Sequence, residues 1–151
     1  MYLEPIELKG RGKRLNEDFY ENLEEAVEDI FENIKDKILY DEYAIYGHSM
    51  GSFLAYELYY KIYNENIKMS KPIIFSGYKA LSISRKEKQI YLLPDEKFIK
   101  EIIEVGGTPQ EVVDNEELLQ LFTPIFRNDF KILENYNYEK KKIRLSVMFP
   151  F

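Results

Sequence analysis

Cysteine and tryptophan are absent from this sequence, and histidine occurs once. The missing thiols exclude disulfides, thiol nucleophiles and zinc–thiolate sites. The lone imidazole, His48, restricts any serine mechanism that needs a histidine base to that residue or to a base from elsewhere. Long apolar runs are missing too: none approaches the length of a bilayer crossing, and no charged-then-apolar leader is present. These absences lead us to expect a cytoplasmic protein without membrane contact. Positive charge is in deficit, with 21 Lys and Arg against 27 Asp and Glu, a net charge of -6. That balance argues against nucleic acid and anionic membrane surfaces as partners. A metal site has no evident ligand set.

What is present suffices for a core. The 151 residues are 45% hydrophobic, with 13 tyrosines and 10 phenylalanines. This length predicts one domain or part of one.

One stretch organises the rest. Residues 43–46, Tyr-Ala-Ile-Tyr, read as a short buried strand. Gly47, His48, Ser49, Met50 and Gly51 follow at once, and Phe53, Leu54 and Ala55 open a helical pattern. Strand, Gly-x-Ser-x-Gly, then helix is the context a nucleophile elbow requires. A serine on so sharp a turn is strained, and glycine on both sides removes side chains expected to collide with strand and helix. Ser49 is therefore the candidate nucleophile. The Met50 N–H, at a helix N-terminus, is the candidate oxyanion donor. A residue adjacent to the serine points away from it, so His48 is a poor general base and reads as a structural part of the elbow.

Ahead of the elbow, residues 1–8 are weakly strand-like, with Pro5 favouring an edge. Residues 9–14, Lys-Gly-Arg-Gly-Lys-Arg, form a basic loop, either a solvated turn or an anion contact. Asn16 is the expected cap of a helix whose apolar face runs from Phe19 to Ile38. Its other face, with Glu21, Glu24, Glu25, Glu28 and Glu32, reads as the wet side. After the elbow, a helix to about Tyr63 is apolar nearly all round and so expected to be buried. Residues 72–75 form another short strand, closed by Ser76 and Gly77. Alternating strands and helices imply parallel pairing and an α/β fold.

From Tyr78 the alternation stops. Helices are expected after Pro94, after Thr108-Pro109 (Thr108 as cap) and near Asn115, with Pro124 kinking the last. They read as a lid over residues 78–136 or as an ordinary helical layer. Residues 136–142 form a polar connector, and 143–149 alternate as a strand.

These segments together resemble the type II thioesterases of nonribosomal peptide and polyketide synthesis, members of the α/β-hydrolase family. Residues 8–15 are similar to that family's Leu-Pro-Gly-Arg-Gly-x-Arg segment, with Lys9 in place of the proline. Residues 47–54 resemble its Gly-His-Ser-Met-Gly-(Ala/Gly)-x-(Leu/Ile) elbow, and residues 75–77 its Phe-Ser-Gly. Residues 93–96 and 106–109 look like its lid. Residues 121–129 are similar to its Leu-x-Pro-x-x-Arg-x-Asp helix, through Pro124, Arg127 and Asp129.

The resemblance implies a partial, mostly parallel sheet flanked by helices, with a helical lid insertion, in one incomplete domain over 1–151. It implies hydrolysis of acyl groups from the phosphopantetheine arm of a carrier protein, with Ser49 acylated and no cofactor of the enzyme's own. It also implies that the triad acid and histidine fall beyond Phe151, and that a strand pair with a second oxyanion donor precedes Met1. The expectations that follow are impaired activity, an unpaired strand edge in the sheet, and a second polypeptide as a source of the missing groups. The alternative reading is a non-catalytic carrier-protein-binding module or an inactive relic.

Overall fold

Apolar side chains three and four residues apart give the first long helix, α1 (Leu23–Ile38), a buried face of Leu23, Ala26, Val27, Ile30, Phe31 and Ile38. The computed structural model describes residues 2–69, 72–77, 89–139, 141 and 147–148. The chain continues through β1 (Ile45–His48), α2 (Met50–Asn64) and β2 (Ile73–Ser76). Then come α3 (Asp95–Val105), α4 (Gln110–Val113), α5 (Glu116–Asn135) and β3 (Val147–Met148). The strands form one parallel sheet in the order β1-β2-β3, with Ile45 opposite Ile73 and Ile73 opposite Val147. Strand–helix–strand with parallel pairing is the α/β arrangement expected.

The α1 cap differs from expectation. Asn22, not Asn16, caps it: its Oδ1 accepts the Glu25 N–H at 2.8 Å. Glu25 reaches back to accept the Glu21 N–H at 2.8 Å, closing a box around the helix start. Residues 15–22 cannot join the helix because Tyr20 is drawn into the core, 1% exposed. Its hydroxyl donates to Asp29 Oδ2 at 2.6 Å. The row Glu21, Glu24, Glu25, Glu28 and Glu32 is exposed, as expected of a wet face.

The main core is a layer between α1 and the sheet. Phe53, Leu54, Leu58 and Ile62 of α2 pack with the buried face of α1, with Leu8, and with Ile132 and Tyr136 beyond. Ile45 and Tyr43 pack against the same cluster. Side chains alternate across a strand, so Tyr46 and His48 fall on the other face, and both are exposed. β1 lies two residues later than the apolar run 43–46 suggested. Strand extent follows the ladder with β2, which takes in Gly47 and His48 whatever their polarity. Residues 2–8 form no strand, and Tyr2 and Leu3 are exposed.

A second, smaller cluster holds Ile90, Phe98 and Ile102, packed by Leu93, Phe126 and Phe130. Pro109, not Thr108, occupies the cap position of α4, and no side chain caps that helix. Asn115 caps α5 by accepting the Leu118 N–H at 3.1 Å. Helix α5 runs unbroken through Pro124. Of the strand expected over 143–149, Val147–Met148 is described as strand; residues 143–146 and 149 lie outside the described residues. Among the described residues, no helix is long and apolar enough to cross a membrane.

Candidate active site

Ser49 sits at the bend between β1 and α2 with φ 52° and ψ -118°. A non-glycine residue there costs on the order of 1–3 kcal/mol, so neighbouring contacts must hold it. Three do so. The Ser49 N–H donates to Ser76 O at 3.0 Å, and the Ser52 N–H donates to Ser49 O at 3.0 Å. The Ser52 hydroxyl, on a side chain in a residue only 1% exposed, donates between Gly47 O at 3.0 Å and Ser76 O at 3.2 Å. Turn, helix start and both strand ends are thereby joined.

The two glycines of the motif differ. A Cβ on Gly47 would lie 2.2 Å from Gly51 O and 2.8 Å from Ser52 N, so a side chain there would force strand and helix apart. A Cβ on Gly51 would meet no described atom within 4 Å. The expectation that both glycines relieve collisions is met at Gly47, while at Gly51 no collision is found among the described residues. Met50 is the first residue of α2. Its N–H has no intrahelical acceptor by position and lies at the positive end of the helix.

His48 is held on the other side of the turn. Its Nδ1 lies 2.8 Å from Ser76 Oγ, which lies 2.7 Å from the Tyr46 hydroxyl. The ring lies over Gly77, where a Cβ would come within 2.2 Å of Cε1. The imidazole is thus engaged with Ser76, in accord with the structural reading of this residue. Ser52, Ser76 and Tyr46 escaped the sequence reading. A small hydroxyl residue three positions after the elbow serine, on a buried helix, was the one available signal.

The basic loop is neither a solvated turn nor a free anion site at its arginines. Arg11 grips Asp129 of α5 with two bonds, 2.7 and 3.1 Å. Arg14 binds Asp29 at 2.7 and 2.9 Å and Glu17 at 2.7 and 2.8 Å. Hydrogen bonds from Arg14 hold the Glu17 and Asp29 carboxyls below their usual range. Burial, helped by the bond to Asp29, pushes the Tyr20 phenol up to about 12. The Lys9 ammonium lies 5.4 Å from the centre of the Tyr20 ring.

Residues of α5 anchor what precedes them. Arg127 donates to Tyr91 O and Leu93 O, pairs with Asp95 at 2.6 Å, and lies 4.2 Å over the Phe98 ring. Glu134, 8% exposed, accepts the Ile90 and Tyr91 N–H groups at 3.0 and 3.2 Å. Asn128 donates to Tyr20 O at 2.8 Å.

Known proteins share this fold. The crystal structure of ClbQ from the colibactin NRPS/PKS pathway matches with TM-score 0.88 at 33% identity, over 96% of this chain and 62% of that one. RedJ, a thioesterase from the prodiginine pathway of Streptomyces coelicolor, matches with TM-score 0.86 at 25% identity, over 96% and 57%. The gramicidin S biosynthesis protein GrsT of Aneurinibacillus migulanus is 33% identical over 134 residues, covering 89% of this chain and 52% of that protein. A protein named linear gramicidin dehydrogenase LgrE, from Brevibacillus parabrevis, is 32% identical over 141 residues, covering 91% and 53%. The chain thus spans about half the length of the curated relatives it matches. These likenesses bear out the resemblance to type II thioesterases and the partial α/β-hydrolase fold. With the family's pattern matching residues 2–148 and a strained serine at the strand–helix bend, the chain belongs to the Thioesterase domain family.

Proposed function

We propose that this chain carries the acyl-accepting half of a serine thioesterase that clears acyl groups from phosphopantetheinyl carrier proteins of nonribosomal peptide or polyketide synthesis. The observation that carries the reading is the left-handed backbone of Ser49 at the turn into α2. In the proposed step, Ser49 Oγ attacks the thioester carbonyl and the carbonyl oxygen becomes an oxyanion facing the Met50 N–H. Collapse breaks the C–S bond. The serine proton ends on the departing thiol of the carrier's arm, and water later releases the acid. The substrate arrives on a partner, so no cofactor is invoked.

Proton transfer needs a base near Ser49. The lone histidine is tied to Ser76, so the proposed step draws its base from outside these 151 residues. Removing triad members costs about four orders of magnitude in rate. The isolated chain is therefore expected to cleave an acyl-pantetheine near the uncatalysed rate. Free imidazole at tens of millimolar concentration should raise a turnover component that Ser49→Ala abolishes. If imidazole accelerates both proteins equally, the nucleophile assignment fails. Carrier-protein binding that survives Ser49→Ala, without any Ser49-dependent turnover, would favour a binding module instead.

In this reading the helices within 78–136 cover the site as a lid, in which Arg127 and Glu134 of α5 fasten residues 90–95. The protein works in the cytoplasm, alongside its carrier partner.

A further inference from the structure

We infer that Ser52 is a positioning residue for Ser49, setting the elbow's geometry through its buried hydroxyl. Here the hydroxyl reaches from the first turn of α2 to the carbonyls ending both strands: Gly47 O, 3.0 Å away, and Ser76 O, 3.2 Å away. Ser76 O also accepts the Ser49 N–H at 3.0 Å. One carbonyl thus receives the backbone of the strained serine and the side chain that braces it. Ser76 carries a second link, since its Oγ holds His48 Nδ1 at 2.8 Å. A shift of the Ser76 peptide would move Ser49 and His48 together.

Burial makes the bracing strong. Ser52 is 1% exposed, so water cannot replace its hydrogen bonds. The positive φ of Ser49 leaves the turn with a tendency to relax, and relaxation would swing both Oγ and the Met50 N–H. A side chain from the following helix resists that relaxation.

The test is Ser52→Ala in the full chain, read by amide hydrogen exchange and by the NMR signals of His48. Because histidine occurs once, its ring resonances report the elbow without overlap. Exchange at the Ser49 amide should quicken about tenfold, the scale of one buried hydrogen bond, with amides of α1 unchanged. The His48 ring signals should shift. A uniform rise across α1 and α2, or no change at Ser49, would overturn the inference, since Ser52 would then be ordinary packing.

A second arm rests on the proposed role of Ser49. The rate at which a fluorophosphonate modifies Ser49 should fall several-fold in Ser52→Ala at a temperature where both proteins are fully folded, and equal rates would count against positioning. Should the unmodified chain fail to react at all, the nucleophile reading falls, and the exchange pattern alone decides the role of Ser52.

Discussion

The layer from α1 to α2 and the helices from α3 to the start of α5 are held by different forces. The first is a continuous apolar core in which Leu23, Ile62 and Ile73 are all but sealed from solvent. The strained Ser49 within it is braced by backbone groups and a buried hydroxyl. The second has a smaller buried cluster, Ile90, Phe98 and Ile102, and relies on charged groups from α5, Arg127 and Glu134, that satisfy backbone atoms of residues 90–93. Geometry that must be kept for chemistry sits on the sealed layer. The region proposed to open and close sits on the smaller cluster, where fewer contacts have to break.

The largest test of that contrast is Phe98→Ala. It should cost about 3–5 kcal/mol within the second cluster. Hydrogen exchange should show α3 opening while the amides of α1 and α2 keep their protection, and simultaneous loss in both regions would erase the distinction. Next, Arg127→Leu strips bonds from two carbonyls and Asp95, with an expected cost of about 1.5–3 kcal/mol, read by urea midpoints. It too should act on α3 first.

Gly47→Ala should destabilise the first region by about 1–3 kcal/mol, because its Cβ would sit 2.2 Å from Gly51 O. Gly51→Ala should do the opposite and add up to about 1 kcal/mol, since alanine favours helix and finds open space. Equal effects of the two substitutions in thermal melts would refute the account of the elbow.

The smallest effect concerns pH. Arg14 keeps the Asp29 carboxyl below its usual range, so the pair stabilises the fold above the unfolded carboxylate value. That contribution disappears as pH falls through the lower, folded value. Asp29→Asn should flatten the acid limb of the stability curve by about 1 kcal/mol and also soften the alkaline limb, because the Asp29 carboxylate helps hold the Tyr20 phenol up. At the other end, Tyr20 titrates higher in the fold than unfolded. Its contribution is therefore complete below pH about 10 and drains away toward about 12.

Local signals were legible where chemistry and conformation coincide. Gly-x-Ser-x-Gly between a short apolar run and an apolar helix placed Ser49 at its bend, and the pattern of α1 identified its buried face. Tertiary choices were not legible. Asn16 and Asn22 are equivalent as caps until Tyr20 is known to enter the core, which leaves the later asparagine to start the helix. Thr108 reads as a cap beside Pro109, yet the extended backbone of Pro109 takes that place. Arg11 and Arg14 look like surface charge in sequence because their partners Asp129 and Asp29 lie far along the chain. Ser52 has no periodicity to mark it. Its part appears only once the ends of β1 and β2 are seen to meet above it.

The central claim is that Ser49 is poised to accept an acyl group. Intact-mass analysis after prolonged exposure to excess fluorophosphonate, with peptide mapping, tests it most directly. The account predicts one slow adduct on Ser49 that Ser49→Ala lacks. An unmodified chain, or the same adduct in Ser49→Ala, would contradict it.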